Sequence, residues 1–226
     1  LKSNSPEPSF TKINPSGAAT STVSLTVISP SGTATSTGVA ACSGTDYAGG
    51  SFTPANGVII SGDHCNIGTF TVSSGFTVNI TAGTALRVFA TTVNIAGTLD
   101  GIGKGSAGGV ACGFNGSGTG GGTVSACANS AGGGGGGHGG AGGNGSSSGA
   151  SGGVSYGSLP QPVTLGSGGG AAPGAAGGAG GGAIYLKVTG TLTLDGTINA
   201  NGAVGLVANS YAVASGGGAG GSVFID

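Results

Sequence analysis

Residues 130–145 constrain this chain more than any other stretch. They read Ser-Ala, six consecutive glycines, His138, then Gly-Gly-Ala-Gly-Gly-Asn-Gly. No side chain there is larger than His138, and none is charged at neutral pH. The stretch is the densest part of a glycine-rich region running from Gly101 to Gly221. Glycine in a regular element costs roughly 0.5–1 kcal/mol relative to alanine, because it loses the most backbone freedom on folding. The chain holds 57 glycines, so the cost is on the order of tens of kcal/mol. Either the region stays disordered or close backbone contacts compensate.

Charge separates these outcomes. Five Lys/Arg and six Asp/Glu make up 5% of the chain, against about 25% in ordinary domains. Disordered chains are usually highly charged and poor in apolar residues, whereas 37% of this chain is hydrophobic. We therefore expect order. A net charge of −1 leaves little repulsion between copies, which favours self-association. Five scattered cations form no basic stripe, so nucleic acid is not an expected partner. No apolar run reaches the length of a membrane span. The opening at Leu1 reads as a processed or trimmed start, with no signal-peptide core remaining.

The glycine runs (101–109, 116–122, 132–145, 166–182 and 215–221) admit three conformations. They are a flexible tether, wide loops, or extended strands of about three residues per turn packed side by side. Only the third lets main-chain N–H and C=O groups bond between neighbouring runs. No Gly-X-Y period is present, which excludes collagen.

Three regions follow: a Pro/Ser/Thr-rich N-terminal arm at 1–21, a β-rich region at 22–100, and a glycine-rich region with repeated strand units at 101–226. Alternating, β-branched runs mark strands at 22–28, 33–41, 58–60, 70–72, 76–80, 86–89 and 92–95. Residues 43–57 read as loop and Gly62-Asp63 as a turn. Val-Asn-Ile occurs at 78 and again at 93, about one short coil apart. Val93–Gly101 resembles 190–202, and 216–226 resembles 178–187. Asp100 and Asp195 read as equivalent turn residues. The expected fold class is all-β, a β-sandwich or β-solenoid carrying ordered, polyglycine-II-like runs, with little or no α-helix. A strand at Val223, Phe224 and Ile225 offers an edge for assembly. The arm at 1–21 reads as frayed, or as a strand donated to a neighbour.

Cys42, Cys65, Cys112 and Cys127 are even in number and lack CxxC spacing, which argues for disulfides over zinc. The nearest-neighbour pairing is Cys42–Cys65 with Cys112–Cys127. Connectivity stays open, and four free thiols are the alternative. Disulfides imply an oxidising, extracellular setting.

Runs 132–145 and 166–182 resemble two glycine-rich groups. One is the snow flea antifreeze proteins, which are bundles of polyglycine-II helices. The other is the polyglycine adhesins at phage tail-fibre tips, whose loops between glycine strands bind bacterial outer-membrane receptors. The units at 78–100 and 183–202 resemble repeats of large secreted bacterial surface proteins, which form solenoids. The resemblance is compositional and covers roughly the last 130 residues.

Catalytic candidates are few. Asp63-His64 beside Cys65, with Asp46 near Cys42, is the one acid/His grouping, and turn chemistry explains it equally well. His138 lacks a second metal ligand nearby and reads as an exposed loop tip. No Lys-Ser/Thr follows a glycine run, so none is a phosphate loop. We expect no enzyme activity, cofactor or metal. The leading expectation is a self-assembling subunit of an extracellular filament, sheath or surface layer. The absence of Lys and Arg between Lys104 and Lys187, which denies trypsin-like proteases a site, agrees with it. The alternative is an adhesin for a cell-surface receptor or glycan. Its contact loops at 154–165 and 203–214 would be anchored by Tyr156, Leu159, Tyr211 and Val213. A third expectation, ice binding, rests on Thr33, Thr35, Thr37, Thr191 and Thr193.

Overall fold

The computed structural model describes residues 42–110, 113–125, 131–146, 150–208 and 213–226. The arm at 1–21, the strands expected at 22–28 and 33–41, Cys112, Cys127 and Tyr211 lie outside the described residues. Within them the chain is all strand, with no helix.

The strands form two parallel sheets. The first contains β1 (Thr45–Asp46), β2 (Ser51–Phe52), β4 (Gly62–Val72), β6 (Leu86–Ile95), β8 (Ala183–Leu194) and β12 (Ser222–Ile225). Its order is β1-β4-β6-β8-β12, with β2 also paired to β4. The second runs β3 (Ile59–Ile60), β5 (Thr77–Ile80), β7 (Thr98–Asp100), β9 (Thr197–Asn199). From β3 to β9 the chain alternates between sheets, and each strand pairs in parallel with the strand two later. A small antiparallel pair, β10 (Val207–Ala208) and β11 (Val213–Ala214), stands apart.

Inward rows from both sheets make the core. Phe70, Val72, Val78, Ile80, Leu86, Val88, Val93, Ile95, Leu99, Ile184 and Leu186 are all buried in one cluster. Each such side chain stabilises the fold by about 1.5–3 kcal/mol. The long strands depart from the short ones expected. Residues 86–95 are one strand, whose inward positions are Leu86, Val88 and Ala90, then Val93 and Ile95. A register irregularity between Ala90 and Thr92 allows that change of parity. Likewise 43–57 contains β1 and β2, and Gly62-Asp63 opens β4 rather than forming a separate turn.

Pairing tests the sequence repeats directly. Ser222–Ile225 pairs in register with Ala183–Leu186, as the likeness of 216–226 to 178–187 implies. Val93 pairs with Leu192 and Asp100 with Asn199, so the likeness of 93–101 to 190–202 is also a register. The two Val-Asn-Ile units are not partners. Val78 lies in the second sheet and Val93 in the first, where Val93 pairs with Phe70. Both units need the same apolar-polar-apolar alternation, which is why they read alike. Asp100 is equivalent to Asn199, not Asp195. Asp100 accepts from the Ile102 N–H at 3.0 Å, and Asn199 from the Asn201 N–H at 3.0 Å.

The β7–β8 and β9–β12 connections carry the glycine runs, which bond chiefly to one another. Gly177 and Gly180 donate to the carbonyls of Gly109 and Ser106, while Gly178 and Gly181 donate to Gly216 and Ala219. Ser215, Gly218 and Gly221 donate to Leu206, Ala203 and Ala200, while Gly216 and Ala219 donate to Gly170 and Ser167. A segment thus returns to the same neighbour every third residue, whereas a β-strand returns every second. Three residues per turn is the period of an extended, internally unbonded helix. Residues 166–171 are bonded on every side, to 106–109, 114–117, 122–125, 134, 178–181 and 216–219. They are buried throughout.

Glycine is obligatory where these segments touch. A Cβ on Gly180 would overlap the carbonyl oxygen of Gly166. Gly220, on the exposed side of its segment, has nothing nearer to such a Cβ than 4.0 Å. We predict that Gly180→Ala costs about 1–3 kcal/mol or more through overpacking. Gly220→Ala should be neutral or stabilising by up to about 1 kcal/mol. Denaturant melts of the two variants check this, and equal losses would refute the close-packed arrangement.

Candidate functional site

The bundle brings together residues far apart in sequence at one open cleft of about 560 Å³. His138, Tyr156, Leu159 and Pro162 line it with Ser155, Ser158 and the start of β12, Gly221–Val223. The loop carrying Tyr156 interrupts two glycine runs and is fastened at several points. Its Tyr156 N–H donates to the His138 carbonyl at 2.7 Å. The Tyr156 hydroxyl donates to the Leu165 carbonyl and accepts from the Ser167 hydroxyl at 2.8 Å. Ser167 is wholly buried and accepts from the Gly120 N–H at 2.9 Å, which ties the loop to the bundle interior. Ser222 donates to the Thr164 carbonyl at 2.8 Å, fixing the loop against β12. At Gly157 φ is 100°, where other residues would be strained.

His138 is not the exposed loop tip that its sequence neighbours imply. It is half-buried, its Nε2 lies 2.7 Å from the Thr164 hydroxyl, and its ring meets that of Tyr156 edge-on at 4.9 Å. Folding of the bundle supplies both partners. Of the expected contact residues, Tyr156 and Leu159 share this cleft, and Leu159 is 92% exposed. Val213 is buried against Ala172 and Ala175 and offers no surface. Its place at the start of β11 turns it inward, which the sequence of the 203–214 loop does not reveal. Ser155, Ser158, Pro162 and Ser222 were not singled out from sequence. The break in glycine spacing at 154–165 was the available signal.

The second feature is the outer edge of β12. Two apolar core rows run across the first sheet and end there: Leu86, Ile184 and Val223, then Val88, Leu186 and Ile225. Ile184 and Leu186 are 0% exposed, but Val223 and Ile225 are 37% and 40% exposed. Among the described residues only β8 pairs with β12. On the other face, Phe224 stacks on Tyr185 at 5.3 Å, and Asp226 pairs with Lys187 at 3.3 Å and with the Tyr185 hydroxyl at 3.2 Å. Burial, helped by the Asp226 carboxylate, pushes the Tyr185 phenol up to about 12.

The opposite end of the sheet is cross-linked. The Cys42–Cys65 disulfide joins the chain before β1 to β4 across a separation of 23 residues. A loop of that size is worth about 3 kcal/mol on chain-entropy grounds. Beside it Phe52 stacks on Tyr47 at 4.7 Å and on His64 at 5.1 Å. His64 Nδ1 lies 2.9 Å from the Tyr47 hydroxyl. Asp63 does not join it. Successive residues of a strand face opposite ways, and Asp63 bonds Arg87 at 3.3 Å and the Ser43 N–H at 3.3 Å. Asp46 caps its own turn, accepting from the Ala48 N–H at 2.8 Å. The acid/His grouping therefore dissolves into structural contacts. Among the described residues no cluster of three metal-ligating side chains occurs, and no helix is long and apolar enough to cross a membrane.

Comparison with protein-family models, curated proteins and solved structures finds no match to this chain.

Burial holds the His64 imidazole below its ordinary value, outweighing the opposing influence of the Ser61 backbone and the Asp63 charge. Its Nε2 is buried with no partner. The folded protein therefore binds this proton less readily than the unfolded chain does. Stability from the neutral ring is complete above the unfolded value of about 6.5 and is lost as pH falls through the lower folded value. We predict that the melting temperature drops on acidification below about pH 6.5, and that His64→Phe flattens this slope. An unchanged slope would refute the assignment.

Proposed function

We propose that this chain is a self-associating structural subunit of an extracellular filament, sheath or surface layer. The observation that carries this reading is the pair of core rows left open at Val223 and Ile225. A parallel strand laid on the outer edge of β12 would repeat the β8–β12 pairing and bury both side chains.

In this reading the two sheets are a β-solenoid rather than a sandwich. Sandwiches are typically built from antiparallel strands, whereas here successive strands alternate between two parallel sheets. The inserted runs form a polyglycine-II-like bundle, supported by their three-residue bonding period. Parallel coils stack by translation, so a copy adds to β12 with its strands already pointing the right way. The edge it presents is that of β1, β2 and β3, where Val58 and Ile59 are exposed. Such head-to-tail contact joins unlike surfaces and, where the rotation does not close a ring, grows a filament. The Cys42–Cys65 disulfide supports an oxidising, extracellular location.

The second reading is an adhesin, and the exposed Leu159 on a loop fastened to a stiff bundle favours it. In neither reading does the chain bind nucleic acid, use a cofactor or catalyse a reaction.

Electron microscopy of the purified chain over a concentration series tests assembly. Long regular filaments are expected from the native sequence. Val223→Lys with Ile225→Lys should yield monomers of unchanged melting temperature, because charge on an edge strand blocks pairing. Monodisperse native monomers at every concentration, or filaments unaffected by the two lysines, would overturn the proposal.

A further inference from the structure

We propose that the cleft between the 155–162 loop and the start of β12 binds a neutral saccharide. This goes beyond assembly and would give the adhesive reading its ligand class.

The argument begins with charge. None of the eleven residues lining the cleft is Asp, Glu, Lys or Arg. An ionic ligand would surrender its hydration there and gain no counter-charge, which is costly. The ligand is therefore uncharged.

The walls then define its shape. Part of the lining is apolar, from Tyr156, Leu159 and Pro162. The rest includes the serines Ser155, Ser158 and Ser222 and the main chain of Gly139, Gly157 and Gly221. A purely apolar ligand would leave these polar groups unpaired as it displaced their water, each at a cost of about 1–3 kcal/mol. A pyranose ring suits this mixed lining, with an apolar C–H face for the tyrosine and proline and a rim of hydroxyls for the serines. A cavity of about 560 Å³ lies within the ordinary range for small-ligand sites, with room for one or two sugar units.

The site is also set in advance. The Tyr156 hydroxyl is spent on Leu165 and Ser167, and His138 Nε2 on Thr164. The aromatic wall is thus held in position, and binding need not order it, which preserves affinity. Ser158 Oγ accepts only a long bond of 3.4 Å from the Gln161 N–H, which leaves its proton to donate to a ligand.

The test uses the full chain with neutral oligosaccharides as probes: β-1,4-linked glucose, α-linked mannose and β-linked galactose oligomers. Heparin and polygalacturonate serve as charged comparators. Saturation-transfer NMR and titration calorimetry should detect at least one neutral probe, at an affinity unchanged between low and high salt. Ser155→Ala with Ser158→Ala should weaken that binding about tenfold or more, with the melting temperature unchanged. Leu159→Asp should abolish it. Val204→Ala, at an exposed site outside the cleft, should leave it intact. Absence of binding to every neutral probe, equal or tighter binding of the charged polymers, or binding indifferent to the serine and leucine changes would each overturn the proposal. Filament formation by the serine variant is unaffected in every case, so this test stands apart from that of assembly.

Discussion

The fold depends on main chains lying against main chains with no side chain between them. In the bundle each successive N–H of a glycine segment turns to a different neighbour and returns to the first after three residues. Residues 166–171 are held this way from six directions. A backbone hydrogen bond is worth about 0.5–1.5 kcal/mol net, the same size as the extra entropy glycine loses on folding. Glycine creates the deficit and also permits the close approach that offsets it.

That arrangement needs a frame. Eighty residues lie between Gly101 and Gly182, yet Gly182 donates to the Gly101 carbonyl at 2.8 Å, and the strands before the insertion pair with those after it, β6 with β8 and β7 with β9. The paired sheets close the ends of the glycine insertion as a hairpin closes its loop. Gly221 donates to Ala200 and Ser222 to Gly182 at the same junction. The apolar core and the glycine layer are therefore one continuous structure. Its two ends differ among the described residues: aromatic rings and a disulfide brace one, while the apolar rows at the other end in the part-exposed Val223 and Ile225. The cleft lined by Tyr156, Leu159 and Pro162 adjoins the start of β12.

Local patterns in the sequence were legible where strand partners share a phrase. The likeness of 216–226 to 178–187 is the β8–β12 register, and the likeness of 93–101 to 190–202 is that of β6 with β8 and β7 with β9. The Cys42–Cys65 pair is the nearest-neighbour choice. The same pattern misled where alternation alone was shared: Val78 and Val93 carry one phrase on two sheets, and Asp195 resembled Asp100 when its true counterpart is Asn199. A two-residue period specifies a strand and its faces, but says nothing about which sheet the strand enters.

By itself the sequence determined that the chain is all-β, that its glycine runs are ordered only if packed against one another, and that little charge opposes association. These follow from backbone entropy, alternation and composition, which are properties of short stretches. Only the tertiary structure decided that Val213 is buried, that His138 braces Tyr156, and that the core rows run out to an open edge. Each of these depends on which distant segments meet. Glycine has no side chain with which to record its neighbours, so no pattern in the runs names the six that surround residues 166–171.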